Sequence, residues 1–338
     1  MALTHEEKET LRAVIDRTSG HRETGAATRV VPEEYKAFQE QVERKELTLP
    51  LEAPAAPVRL VISTAKEKAE KCPVHVNMHG GGFVYPQDPD DDMYCAHIAA
   101  ATHGIVVDID YATSWEGPFP LAFEQCYAVM KWVYAQCEAW GADPDRISMG
   151  GHSAGGTLVA AISLRNAVKQ DFPVCLQVLD YAALDNNNAV QPGGNERSRA
   201  FSTLYCGGDF RVLKLPFCSP CFATDEMLKN NPTTLVINAG HCPFREVNET
   251  YAMRLAAVGC EVTIQEYLES PHGFTVRMAG QWQQAQQRSS GRSGKHICNT
   301  GGRDNGTFER TASGADGHPG AYLDAPQGGQ GTRVPAGI

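Results

Sequence analysis

The sequence predicts an α/β fold, a mostly parallel twisted sheet flanked by helices, and three observations predict it. Seven apolar, strand-length runs recur from Val58 onward: Val58 to Ser63, Val74 to Met78, Ile105 to Ile109, Ile147 to Gly150, Val174 to Leu179, Thr234 to Asn238 and Cys260 to Tyr267. Stretches with apolar residues at helical spacing lie between them, above all Ala122 to Trp140 and Gly156 to Lys169, and strands that alternate with such helices pair in parallel. A chain of 338 residues with 42% hydrophobic content also has the material to bury a sheet on both faces.

Taken in order, residues 1 to about 50 are charged and helix-prone, and Pro32 opens a helix through Tyr35 and Phe38. With the linker to residue 57 they read as N-terminal helices lying over a main domain that spans 58–288. The acids of Asp88-Pro89-Asp90-Asp91-Asp92 precede a helix at Met93 to Ala101, where they favour its N-terminal dipole over a cation. Asp143-Pro144-Asp145 supplies the turn into the strand at Ile147. The stretch from Asn186 to Cys221, with Asn186-Asn187-Asn188 and Pro192-Gly193-Gly194, breaks the rhythm and reads as an inserted lid, 186–221. Glu246 to Ala257 forms the next helix, and a final one begins near Met278 to Trp282. From Ser289 on, Gly, Ser, Arg and Asn dominate and no period persists, so 289–338 is predicted to stay disordered.

Composition excludes several classes of function. A formal net charge of -10 argues against a nucleic-acid partner, and no run is apolar and long enough for a signal peptide or a membrane span, so the expected location is cytoplasmic. The eleven cysteines are scattered through strands and helices and read as reduced, mostly buried thiols. Cys218-Ser219-Pro220-Cys221 has zinc-like spacing, but no second such pair accompanies it, and no metal or other cofactor is expected.

The chemistry is concentrated in three motifs. Gly151-His152-Ser153-Ala154-Gly155 joins a predicted strand to a predicted helix, the strained turn that exposes a nucleophilic serine. His79-Gly80-Gly81-Gly82-Phe83 follows a predicted strand, and its glycines leave backbone N–H groups available to a developing oxyanion. A serine hydroxyl needs a base, and His272 in Ser270-Pro271-His272-Gly273-Phe274 follows the last predicted strand, the position of a base in an arrangement ordered serine before histidine. His79 reads as a brace for the turn that begins the glycine loop, and His152, inside the elbow, as a ring that orients a neighbouring loop.

These pieces, with Asp110-Tyr111 through Pro118-Phe119-Pro120, resemble the hormone-sensitive-lipase-like esterases of the α/β-hydrolase fold over roughly Val58 to Gln287. The resemblance implies an α/β-hydrolase fold with a helical cap, formed by the N-terminal helices and the insertion. It also implies carboxylester hydrolysis through an acyl-enzyme, with Ser153 as nucleophile, His272 as base, and Gly81, Gly82 and Ala154 as the oxyanion hole. The expected substrate is a small-molecule ester of short to medium acyl chain. A homodimer is compatible with this reading, and the oligomeric state stays open.

The chain departs from the family at one consequential place. The resemblance puts the triad aspartate in Ala239-Gly240-His241-Cys242-Pro243-Phe244-Arg245-Glu246, at the position held by Cys242. Three replacements are open: Glu246 as the acid, Asp185 after an earlier strand, or Cys242 itself as a thiolate. The departure also leaves a reading of another class, a catalytically impaired homologue that binds a hydrophobic small molecule.

Overall fold

The alternation of apolar runs and helical stretches builds a single sheet clothed in helices. The computed structural model describes residues 3–28, 31–288 and 308–313. Its elements are α1 (His5–Thr28), α2 (Glu33–Glu40), β1 (Val42–Leu49), β2 (Val58–Ala65), β3 (Cys72–Met78), α3 (Pro89–Thr102), β4 (Ile105–Asp110), α4 (Leu121–Trp140) and β5 (Ala142–His152). Then come α5 (Ala154–Lys169), β6 (Leu176–Asp180), α6 (Glu196–Tyr205), α7 (Asp225–Leu228), β7 (Thr233–His241), α8 (Arg245–Ala257), β8 (Val262–Pro271) and β9 (Phe308–Ser313). Among the described residues the strand order is β1-β2-β4-β3-β5-β6-β7-β8-β9. The β2 strand runs antiparallel to β1 and β4, and the remaining neighbours are parallel.

Burial explains which runs were recognisable. β3 is buried at every position, as a central parallel strand covered on both faces must be, and the two polar residues among its apolar ones are paired inside, His75 with Ser148 and Asn77 with Asp108. β1 is the strand that the helical reading of residues 1 to 50 misses. Its sequence Val-Glu-Arg-Lys-Glu-Leu-Thr-Leu is exposed in the middle and buried at its ends, and its charges blunt a sheet edge rather than mark a helix face. β9 corrects part of the disorder expected over 289–338. It pairs in parallel with β8 from Val262↔Phe308 to Tyr267↔Ser313, where that strand's outer edge offers backbone partners. The rest of that predicted tail, 289–307 and 314–338, lies outside the described residues.

α5 lies against β5 and β6 through small and aliphatic side chains, and its Leu158, Val159, Ala160, Ala161 and Ile162 are all fully buried. α1 lies on α6, with Ile15 in a cluster with Val84, Ala200 and Leu204. Arg17 bonds Glu196 and the Arg12 guanidinium sits 4.5 Å from the Trp115 ring. The N-terminal helix and the insertion therefore meet above the loop that follows β3. Among the described residues no helix is long and apolar enough to cross a membrane.

Candidate active site

Four strand ends converge on one place. Ser153 follows β5, Cys242 follows β7, His272 follows β8, and the glycine loop from His79 follows β3, all at the carboxyl edge of the parallel strands where such sheets open a crevice. Ser153 has φ 55° and ψ -111°, a conformation an L residue adopts only when its surroundings enforce it. Two flanking glycines do the enforcing. A Cβ on Gly151 would lie 2.4 Å from the backbone of Gly155, and one on Gly155 would lie 1.9 Å from the Met78 carbonyl oxygen. Backbone bonds fasten the turn to β6: Ser153 N–H donates to the Asp180 carbonyl and Ala183 N–H to the Ser153 carbonyl, each at 3.0 Å.

His272 Nε2 lies 3.0 Å from Ser153 Oγ, and Nδ1 lies 3.1 Å from Cys242 Sγ. Ser153, His272 and Cys242 are thus brought into one relay, with the thiol where a carboxylate would orient the imidazole. Phe244 N–H donates to the same sulfur at 3.5 Å. Burial pushes the Cys242 thiol up to about 11, against a smaller downward pull from the Phe244 N–H, so at neutral pH the residue is a thiol and not the thiolate considered above.

Desolvation, reinforced by the positive charges of Arg277 and Arg197, lowers the His272 imidazole to about 4 from its ordinary 6.5. An imidazole accepts a proton only when neutral, so His272 can serve as a base above this value and loses that capacity as the pH falls through it. kcat/KM for a neutral ester should therefore hold its plateau to about pH 5 and fall with an apparent pKa near 4, measured on protein whose circular dichroism remains native. A midpoint near 6.5 would mean that burial does not hold the acting imidazole below its ordinary value. The same shift makes the fold lose stability between pH 6.5 and 4, because the unfolded chain then takes up a proton that the folded one resists.

The glycine loop is built to expose backbone. Gly81 and Gly82 have φ of 126° and 63°, and Val84 and Tyr85 N–H groups both fold back onto the Gly81 carbonyl at 3.2 Å. His79 braces the loop as expected. Its ring is stacked on Tyr111 at 4.1 Å, its Nδ1 lies 2.7 Å from the Gly80 carbonyl oxygen, and Tyr111 donates to the His79 carbonyl at 2.7 Å. Phe201 of α6 presses on the loop, since a Cβ on Gly82 would fall 2.2 Å from its ring. Gly81, Gly82, Ala154, Ser153 and His272 line one cavity of about 320 Å³, whose far wall includes Ser198 and Phe201 from the insertion. The aromatic side chains lining the cavity are those of Phe83, Tyr181, Phe201 and Phe244, whereas Phe210 is exposed and Phe217 stacks on Phe123.

Neither carboxylate proposed as the acid bonds the histidine. Glu246 is corrected by its place: it is exposed in the first turn of α8, which directs it outward, and the atom beside His272 Nδ1 belongs to Cys242. Asp185 lines the cavity but accepts the N–H of Asn188 at 3.0 Å, an internal turn contact. The acids ahead of α3 cap it: Asp88 accepts from Asp90 N–H, and Asp91 accepts from Asp88 N–H. The sequence reading missed a buried network beneath the relay. Asp180 carries His152 Nδ1 at 2.9 Å on Oδ2, and the same oxygen accepts the Thr275 hydroxyl. Its signal in sequence is faint, for the partners are separated by 28 and 95 positions.

Comparison with known proteins gives the family. A family described as alpha/beta hydrolase fold matches residues 75–276. Esterase LipI of Mycobacterium tuberculosis is 31% identical over 245 residues, 69% of this chain and 75% of that protein. Hormone-sensitive lipase of Mus musculus is 37% identical over 92 residues, 27% of this chain and 12% of the lipase. The crystal structure of carboxyl esterase 2 from the fungus Tuber melanosporum superposes with a TM-score of 0.69 at 25% identity, covering 76% of this chain and 88% of that one.

Proposed function

Because the chain belongs to the hormone-sensitive-lipase-like esterases of the α/β-hydrolase fold and is an ester-bond hydrolase, we propose that it is a serine carboxylesterase working through an acyl-enzyme on Ser153. Ser153 Oγ attacks the ester carbonyl carbon while His272 Nε2 takes its proton. The N–H groups of Gly81, Gly82 and Ala154 receive the oxyanion of the tetrahedral intermediate. Collapse breaks the C–O bond to the alcohol, which leaves with the proton from His272. Water, deprotonated by the same nitrogen, then releases the acid and restores Ser153. A cavity of about 320 Å³ lies at the small end of ligand sites and suits a short to medium acyl chain.

The observation that carries this reading is the 3.0 Å approach of Ser153 Oγ to His272 Nε2 at an elbow with positive φ. A pocket that only binds needs neither the strained serine nor an imidazole aimed at it. Cys242 tempers the rate, since a neutral thiol stabilises an imidazolium less than a carboxylate does. The test is a fluorophosphonate probe with p-nitrophenyl butyrate as substrate. The expected result is a single adduct on Ser153, located by peptide mass spectrometry, with hydrolysis lost in step with labelling. No adduct, or an adduct elsewhere, would overturn the assignment.

A further inference from the structure

The carboxylate of Asp180 is out of reach of substrate, yet it touches the supports of both reacting residues. Its main-chain carbonyl accepts from Ser153 N–H at 3.0 Å, so β6 holds the serine elbow. The residue is 1% exposed, and Oδ2 accepts the hydroxyl of Thr275, three residues beyond His272 in the same loop. With the Thr275 proton committed to the carboxylate, the Tyr181 hydroxyl 2.9 Å away donates to Thr275 Oγ1. The Tyr181 ring meets His272 edge to face at 4.9 Å. His152, the variable residue of the serine motif, closes the network with Nδ1 at 2.9 Å from the same oxygen.

We propose that Asp180 and Thr275 are positioning residues: through the Thr275 hydroxyl, the buried carboxylate fixes the His272 loop against the serine elbow. A triad carboxylate at residue 242 would hold the imidazole by a strong charge-assisted bond. Here the contact is a sulfur at 3.1 Å, a weak partner, and the loop's registration falls to the network below it. Displacing a reacting group by about 1 Å can cost about 100-fold in rate, so this anchoring bears on kcat rather than on substrate binding. The inference rests on the reading of Ser153 and His272 as the reacting pair.

The experiment compares Thr275→Val, which keeps the shape and removes the hydroxyl, with Thr275→Ser, which restores it. Turnover of p-nitrophenyl butyrate is measured well below the melting temperature, beside the ring signals of His272 in protein labelled with [13C-ε1]histidine. Thr275→Val should lower kcat about tenfold or more with KM within about twofold, while Thr275→Ser recovers most of the rate. The His272 ring signal should move or split in Thr275→Val alone. In a Cys242→Asp background the same loss should shrink below about threefold, because the new carboxylate holds the ring directly. Equal losses for valine and serine, an unmoved ring signal, or the same factor in both backgrounds would overturn the positioning role while labelling of Ser153 by the fluorophosphonate left the reading of the reacting pair standing. Failure of wild type to label would remove that reading and this inference together.

Discussion

Cys242→Asp is expected to raise kcat for p-nitrophenyl butyrate by about 100- to 10,000-fold. The upper figure is the effect of neutralising the acid of a serine protease triad, run in reverse. The local argument concerns a tautomer. For His272 Nε2 to accept the Ser153 proton, Nδ1 must carry the other hydrogen and give it to its partner. Sγ of Cys242 lies 3.1 Å away, but a protonated thiol can equally turn its own hydrogen toward Nδ1, which puts the ring proton on Nε2 and disables the base. A carboxylate cannot do this, because it only accepts, and its charge also stabilises the imidazolium formed during attack. The surroundings are suited to it: Phe244 N–H already points at the residue 242 side chain and would donate to the second oxygen. Steady-state kinetics with active-site titration decides the matter. A change below about threefold in folded protein would mean that the Nδ1 contact does not govern the base.

What was legible from sequence follows physical reach. Ser153, the glycine loop and His272 could be found because each sits in a short motif whose neighbours exist to shape it: Gly151 and Gly155 around the serine, Gly81 and Gly82 at positive φ, and Gly273 at φ 84° beside the histidine. The central strands were equally open to reading, since burial on both faces leaves β3 and β4 mostly apolar, interrupted only by His75 and Asn77 in the one and by Asp108 and Asp110 in the other. β1 was hidden because an edge strand is allowed to be charged, and a string such as Glu43-Arg44-Lys45-Glu46 has the composition of a solvated helix. Glu246 looked close to the imidazole because it is four residues from Cys242, but α8 begins between them and turns its first carboxylate to solvent. Asp180 and Thr275 carry no local pattern at all. Their pairing is created by the parallel stacking of β6 between β5 and β7, which brings a strand end under a distant loop.

Gly155→Ala is expected to lower Tm by roughly 2–6 °C and kcat by about 100-fold or more. The added Cβ would fall 1.9 Å from the Met78 carbonyl oxygen and 2.6 Å from that of His79, both backbone atoms, so no side chain can swing aside. Overpacking of this kind costs about 1–3 kcal/mol, which in a domain of this size is several degrees. The larger effect is on chemistry. Gly155 is in the first turn of α5, directly after the elbow, while Met78 and His79 are the end of β3 from which the glycine loop departs. Relief of the clash must push these two apart, and they carry the Ala154 N–H on one side and the Gly81 and Gly82 N–H groups on the other. An oxyanion held by donors from both sides tolerates no such opening, and loss of one donor alone costs about 100- to 1,000-fold. Gly193→Ala supplies the control, for that residue has φ 89° with nothing within 4 Å of the new carbon. Its cost should be confined to about 1 kcal/mol of backbone strain with kcat unchanged. Calorimetry and kinetics on the two variants separate the effects: a Gly155→Ala enzyme with native kcat would show that the glycine loop is not held by its contact with the helix that follows Ser153.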